Sequence, residues 1–211
     1  CDSQVYGAEI TSIAYSATAK LIHRDVSLPE RLEEKGERRK EVSIHRDGKS
    51  MPDQRAIFVA TSMLDWDYRR NLRFNVCQKN GCRLSFSKWD DTILYGVRAV
   101  VIASSLPSSK LQAGEIGFDH AQFQEKAWEK DDYNWKRKVF KVKFDTAFKE
   151  VPRVACGFSA LDCCGGAARF KVSSSNITKL GFDAVVATWD DTEIFWCRPT
   201  WIAHVGKLAT L

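Results

Sequence analysis

The chain has 211 residues, 44% of them hydrophobic and 28% charged, with a formal net charge of +5. That length suits one large domain or two small ones, each able to bury a core. The mild charge, with acids interleaved in the first basic cluster (Glu34–Glu41), argues against a nucleic-acid surface, and no apolar run is long enough to span a membrane.

The first residue is Cys1 and not Met. A trimmed or processed amino terminus is therefore expected, and the missing leader does not decide between a secreted and a cytoplasmic setting. In chain order, the first segment with local character is "PERLEEKGERRKE" (Pro29–Glu41), which reads as helical, interrupted by Gly36, and as a charged insertion. "AIFVATSML" then reads as a buried strand rich in β-branched residues. "LRFNV" alternates Leu72, Phe74 and Val76 inward with Arg73 and Asn75 outward. Cys77 and Cys82 flank the turn-like "QKNG", an arrangement suited to a cross-hairpin bridge.

"WDDT" follows at Trp89–Thr92, and a Ser/Pro/Gly-rich stretch, Ser104–Gly114, suits a linker. In "NWKRKVFKVKF" (Asn134–Phe144), Phe140, Val142 and Phe144 alternate with Lys141 and Lys143, so the basic cluster reads as the solvated face of a strand. "ARFKV" repeats the alternation of "LRFNV", with Ala168, Phe170 and Val172 against Arg169 and Lys171. "FDAVVATW" is a second buried strand, and a second "WDDT" closes it at Trp189–Thr192.

The two WDDT blocks belong to a longer repeat. "SMLDWDYRRNLRFNV" precedes the first and "SALDCCGGAARFKV" the second, and Ile-Ala returns at Ile102–Ala103 and Ile202–Ala203. "GAEI" (Gly7–Ile10) is echoed by "AGEI" (Ala113–Ile116). The offset drifts only from 97 (Asp65 to Asp162) to 100 (Trp89 to Trp189), as loop-length differences between two copies of one unit produce. The reading is all-β: two tandem six-stranded antiparallel sandwiches, residues 1–108 with the insertion at about 29–41, and residues 109–211. The halves are expected to fold separately.

The repeated polar residues define the candidate sites. Arg73 and Arg169 sit on a strand's polar face, where an arginine either pairs with a carboxylate or presents its fork of donors to a ligand. Trp89 and Trp189 either complete a core or offer a ring edge at a loop rim. One Asp of each pair bonds the turn backbone, and the other is left to accept hydrogen bonds. An arginine, an aromatic and a carboxylate on a rigid β scaffold suit a neutral polyhydroxylated ligand. Catalysis is not expected. No Ser sits in a nucleophile elbow, and the adjacent carboxylates Asp90 and Asp91 point apart where a glycosidase pair must face each other. With seven scattered cysteines, no C-x-x-C pair and four scattered histidines, no metal site or other cofactor is expected.

The ordered blocks of the second half, from F-x-x-x-F and V-P-x-V through S-x-L-D, N-I-T and T-W-x-D-T to W-I-A, resemble the H-type lectin domain over roughly Gly114 to His204. The first half resembles it through "SMLD", "NLRFNV", "WDDT" and "VIA", and lacks the opening F-x-x-x-F strand. The resemblance implies a sandwich for each half, non-enzymatic and metal-free binding of galactose- or N-acetylgalactosamine-type glycans, and assembly into a homotrimer with sites at the seams between domains. It places binding roles on Arg73, Trp89, Asp90 and Tyr95 in the first copy, and on Arg169, Trp189, Asp190 and Phe195 in the second. An acidic residue is expected from an adjacent domain, with Asp132 or Asp131 as the alignable candidates. Asp90 and Asp190 stand where snail lectins of the family carry histidine, and Phe195 lacks the hydroxyl of Tyr95, so the first copy is expected to bind more strongly. The Asn176-Ile-Thr178 sequon is read as part of a strand-turn and not as a glycosylation site. The alternatives are a protein–protein or oligomerisation module with decayed sugar sites, and a glycan-targeting region of a larger protein.

Overall fold

A computed structural model describes residues 21–32, 38–43, 56–67, 69–79, 83–117, 129–130, 135–164 and 168–206. Among these residues every regular element is a β-strand. The first half contributes β1 (Leu21–Ser27), β2 (Arg39–Ser43), β3 (Ala56–Trp66), β4 (Leu72–Lys79), β5 (Arg83–Lys88) and β6 (Leu94–Ser104). The second contributes β7 (Leu111–Glu115), β8 (Glu129–Lys130), β9 (Trp135–Lys143), β10 (Arg153–Cys164), β11 (Phe170–Ser175), β12 (Gly181–Trp189) and β13 (Glu193–His204).

The strand order carries the repeat into three dimensions. Sheets β1-β6-β3 and β2-β5-β4 in the first half correspond to β7-β13-β10 and β9-β12-β11 in the second, with β8 added beside β9. All pairings are antiparallel, so each strand can bury alternate side chains against the facing sheet. Leu72, Phe74 and Val76 of β4 are each 1% exposed, while Arg73 and Asn75 between them are partly open.

The halves are joined by more than a linker. β4 pairs with β10 in the register Asn75↔Ala160, Phe74↔Leu161, Arg73↔Asp162 and Leu72↔Cys163. That pairing makes β2-β5-β4-β10-β13-β7 one six-stranded sheet. The first half's core (Phe74, Phe86, Leu94, Val97) is continuous with Phe158, Leu161, Ile194 and Cys197 of the second. A smaller cluster sets Phe58, Ala60 and Ile102 against Leu111, Ala155 and Ile202. Gly157 permits this approach, because a Cβ there would lie 2.6 Å from that of Ala60. The Thr200 hydroxyl reinforces it by donating to the Val59 carbonyl at 2.8 Å. Folding as separate halves would open this sheet and both clusters to water.

Three local expectations are corrected. Arg39–Glu41, expected as the end of a helix, instead opens strand β2, which pairs with β5. Upstream of it Leu32 is fully buried and bridges Leu94, and residues 33–37 lie outside the described set. The linker is shorter than expected, because Ser104 ends β6 and Leu111–Glu115 is strand β7, with Leu111 and Gln112 buried. Cys77 faces Ser85 across the β4–β5 hairpin and is a free thiol, so the hairpin register does not set it against Cys82, which lies outside the described residues.

Candidate functional site

Each WDDT forms the turn that carries the chain from one sheet to the other, from β5 to β6 in the first half and from β12 to β13 in the second. Its first Asp adopts a left-handed backbone, with φ of 54° at Asp90 and 59° at Asp190. Asp tolerates that region better than most residues with a Cβ. The Thr is the internal lock. Thr92 is fully buried, and its hydroxyl donates to the Asn71 carbonyl at 2.8 Å while accepting the Arg73 N–H at 3.0 Å. Thr192, also fully buried, accepts the Arg169 N–H at 3.0 Å. The motif thus pins the start of the arginine strand to the turn in both copies.

The second Asp, with help from the first, holds the arginine. Arg73 Nη1 lies 2.7 Å from Asp91 and 2.9 Å from Asp90. Arg169 Nη1 pairs in the same way with Asp191 and, at 3.3 Å, with Asp190. The arginine side chains are only 13% and 19% exposed, whereas Asp90 and Asp190 are 66% and 63% exposed. Both readings open at the sequence level are therefore present in one motif: a carboxylate-paired arginine beneath an outward-facing acceptor.

In the first copy the second half adds to the cluster. Asp162 accepts from Arg73 Nε at 3.1 Å across the β4–β10 seam, and the Trp89 side chain hydrogen-bonds the same carboxylate. Burial raises the Asp162 pKa above the usual Asp value, against the opposing pull of Arg73 and the hydrogen bonds. Trp89 packs at 6.1 Å from Trp196 of β13. Arg198 lies over the Trp196 ring at 5.3 Å and donates to Asn75 of the first half at 3.0 Å. In the second copy, Trp189 instead stacks on Trp135 of β9, with ring centroids 4.6 Å apart and planes 20° apart.

The structure thus brings Arg73, Trp89 and Asp90 together, and likewise Arg169, Trp189 and Asp190 around Asp191. Tyr95 is 43% exposed under the Arg31 guanidinium at 5.2 Å, and Phe195 is 39% exposed. Asp131 and Asp132 lie outside the described residues. The acid that reaches Arg73 from the other half is Asp162, whose place in the repeated S-x-L-D text was its only signal in the sequence. Trp135 and Trp196 carried none, because neither is repeated. Asn176, at φ 49°, donates to Asp183 at 2.8 Å, and the Thr178 hydroxyl donates to the Gly181 carbonyl at 3.0 Å, so the sequon residues build a turn. Among the described residues, no group of three or more His, Cys, Asp or Glu side chains is placed to hold a metal, and no helix is long and apolar enough to cross a membrane.

A sequence profile of the H-type lectin domain family matches residues 139–204, from within β9 to the end of β13. Two discoidin-1 polypeptides of Dictyostelium discoideum are each 37% identical to this protein over 67 residues, which are 31% of this chain. The matched stretch spans about a quarter of these relatives' length, 26%. Among solved structures, wild-type discoidin II from Dictyostelium discoideum aligns over 72% of this chain and 71% of its own, at 18% identity and a TM-score of 0.40. A recombinant discoidin II structure aligns over 70% of each chain, at 17% identity and a TM-score of 0.36. Residues 139–204 are thus an H-type lectin domain homologous to part of the discoidins.

Proposed function

We propose that the chain is a tandem H-type lectin that binds galactose- or N-acetylgalactosamine-type glycans without metal or catalysis, through one shallow site at each WDDT. The observation that carries this reading is the recurrence of one constellation in both halves: a strand arginine clamped by Asp91 or Asp191, beside a tryptophan and an outward carboxylate. A clamped guanidinium cannot swing to follow a ligand, so its remaining donors are held in place for sugar hydroxyls. Asp90 and Asp190 accept from those hydroxyls, and the tryptophans meet the apolar face of the ring.

The first site is the stronger of the two in this proposal, because the second half supplies it with Asp162 and Trp196 within the same chain. Each hydroxyl exchanges water bonds for protein bonds at a net gain of only ~0.5–1.5 kcal/mol, so single sites are weak. Function then depends on several sites acting together, through the tandem and through assembly of copies, with a homotrimer as the expected form. Glycan-bearing partners and a role in adhesion follow from the same logic.

The three carboxylates of Asp90, Asp91 and Asp162 that pair with Nη1 and Nε of Arg73 favour one alternative, an interaction module whose first sugar site has become a structural lock. A glycan array separates the two. Selective retention on glycans ending in galactose or N-acetylgalactosamine supports the lectin reading, and a blank array with a folded, cooperatively melting protein supports the lock.

A further inference from the structure

The end of the second sandwich opposite its WDDT turn is built from different chemistry. Strand β9 ends there at Lys143, β10 begins at Arg153, β12 begins at Gly181 and β13 ends at His204. The loops at this end are tied together, because the Phe148 N–H donates to the Lys179 carbonyl and the Phe144 N–H to the Leu180 carbonyl, each at 2.9 Å. Below them Phe144, Phe148 and Phe182 are buried, so the loops rest on a packed aromatic floor.

Two kinds of side chain project from this end. Leu180 and Val151, 68% and 57% exposed, are the most open large apolar side chains among the described residues. Around them stand Lys143, Lys149, Arg153 and Lys179, all exposed. Among the described residues no carboxylate pairs with any of these four. The acids of the same described loops are Asp145 and Glu150, and Glu150 is held inward by the Gly206 N–H at 3.1 Å. Single exposed aliphatic residues need no explanation, but two on neighbouring loops inside a ring of unpaired cations make a surface of definite chemistry.

A recess of about 250 Å³ opens beside Val151, lined by Glu150, Arg153, His204, Val205 and Gly206. Burial lowers the His204 pKa and the Arg153 charge lowers it further, against a backbone hydrogen bond at Val205, so the ring is neutral at physiological pH. The positive charge of the recess is therefore that of Arg153. His204 Nδ1 is buried there with no hydrogen-bond partner. An unpaired guanidinium beside an unpaired imidazole nitrogen is a setting that acceptor oxygens satisfy.

We propose that this end docks on a membrane surface rich in anionic phospholipid. Arg153 holds a headgroup phosphate at the recess, the three lysines face the negative surface, and Val151 and Leu180 enter the boundary between headgroups and acyl chains. A free polyanion has no use for the two aliphatic tips, and an apolar protein partner has none for the cations. The net charge of +5 favours the approach. Nine residues of β12 separate this end from the second WDDT, roughly 27 Å, so a docked chain turns that motif away from the bilayer. The proposal does not rest on sugar binding.

The test is co-sedimentation of the intact chain with vesicles of phosphatidylcholine, alone or with about one-third phosphatidylserine, lipids that carry no sugar. Binding is expected to the anionic vesicles only, and it weakens as added salt screens the cations. Arg153→Gln and Lys179→Gln each lower the partition coefficient about fivefold. Arg98→Gln, at an exposed arginine of β6 in the first half, changes it by less than about twofold. The double variant Val151→Ser/Leu180→Ser keeps the charge, alters only exposed side chains and lowers partitioning about tenfold. The proposal is overturned by a wild type that ignores anionic vesicles, by equal losses in Arg98→Gln and Arg153→Gln, or by a serine double variant that binds like wild type. Inorganic phosphate that shifts the His204 ring resonances, with no binding to vesicles, also overturns it and makes the recess a site for a free anion. Galactose titrated in parallel keeps the readings apart: vesicle binding without galactose binding supports the membrane surface and removes the neutral-sugar proposal.

Discussion

Replacing Thr92 by Val tests whether the last residue of the motif holds the site together. Val matches Thr in shape and puts a methyl where the hydroxyl was, at a position with no exposed surface. Two backbone groups then lose their partner: the Asn71 carbonyl, held at 2.8 Å, and the Arg73 N–H, held at 3.0 Å. An unsatisfied buried donor or acceptor costs about 1–3 kcal/mol, and burying an additional methyl returns about 0.8 kcal/mol. The expected loss is about 2–4 kcal/mol, with the carbonyl, which has a second lone pair, costing the less of the two. Thr92→Ser keeps the hydroxyl and loses only a methyl, for about 1 kcal/mol. Urea midpoints of the two variants, at equal m-values, give the difference directly. If Thr92→Val is as stable as Thr92→Ser, the hydroxyl does not bridge the turn to β4, and the account of the motif fails.

Asp162→Ala removes the acid that joins Arg73 across the seam and should destabilise by about 1–3 kcal/mol, whereas its exposed repeat partner Asp65→Ala should stay within about 0.5 kcal/mol in the same denaturation assay. Equal effects would mean that the seam pair contributes nothing. Protease nicking of the short connection at residues 105–110 should leave two fragments that co-elute on gel filtration, because β4–β10 pairing and the shared apolar clusters hold them. Fragments that separate while folded would restore independent halves. Burial pushes the Cys156 and Cys163 thiols up to about 12 and raises Cys197 well above its usual value. All three therefore remain protonated from neutral pH to well above the ordinary thiol range. Ellman's reagent at pH 8 should leave these three unmodified until the chain is denatured, and rapid labelling of Cys197 in the folded state would contradict the buried core.

What the sequence revealed depended on repetition and alternation. Strands β4, β9 and β11 were legible because apolar residues such as Phe74, Phe140 and Phe170 recur at every second position. β2 was not, because Val42 is its single apolar residue, and the charges around it imitate a helical surface. The arginine and tryptophan of each site were legible because they occur twice in fixed order. The partners that complete each site were not. Asp162 reaches Arg73 from 89 residues away, and Trp135 meets Trp189 through strand register, so neither contact leaves a local signature. Asp91, Asp191, Thr92 and Thr192 stood inside the repeated text, yet their roles as clamp and lock appear only once the turn geometry is known.

The most direct test of the two-site account is a titration of N-acetylgalactosamine and galactose followed through the indole N–H resonances of uniformly labelled protein. Seven tryptophans give seven reporters in one spectrum. The account predicts that Trp89 and Trp189 shift and saturate, Trp89 at the lower sugar concentration, that Trp196 and Trp135 follow their respective neighbours, and that buried Trp201 does not move. Asp90→Ala and Asp190→Ala, both at exposed side chains, should each abolish the response of its own copy alone. Sugar saturation that leaves Trp89 and Trp189 unshifted would contradict the assignment of binding to the WDDT sites.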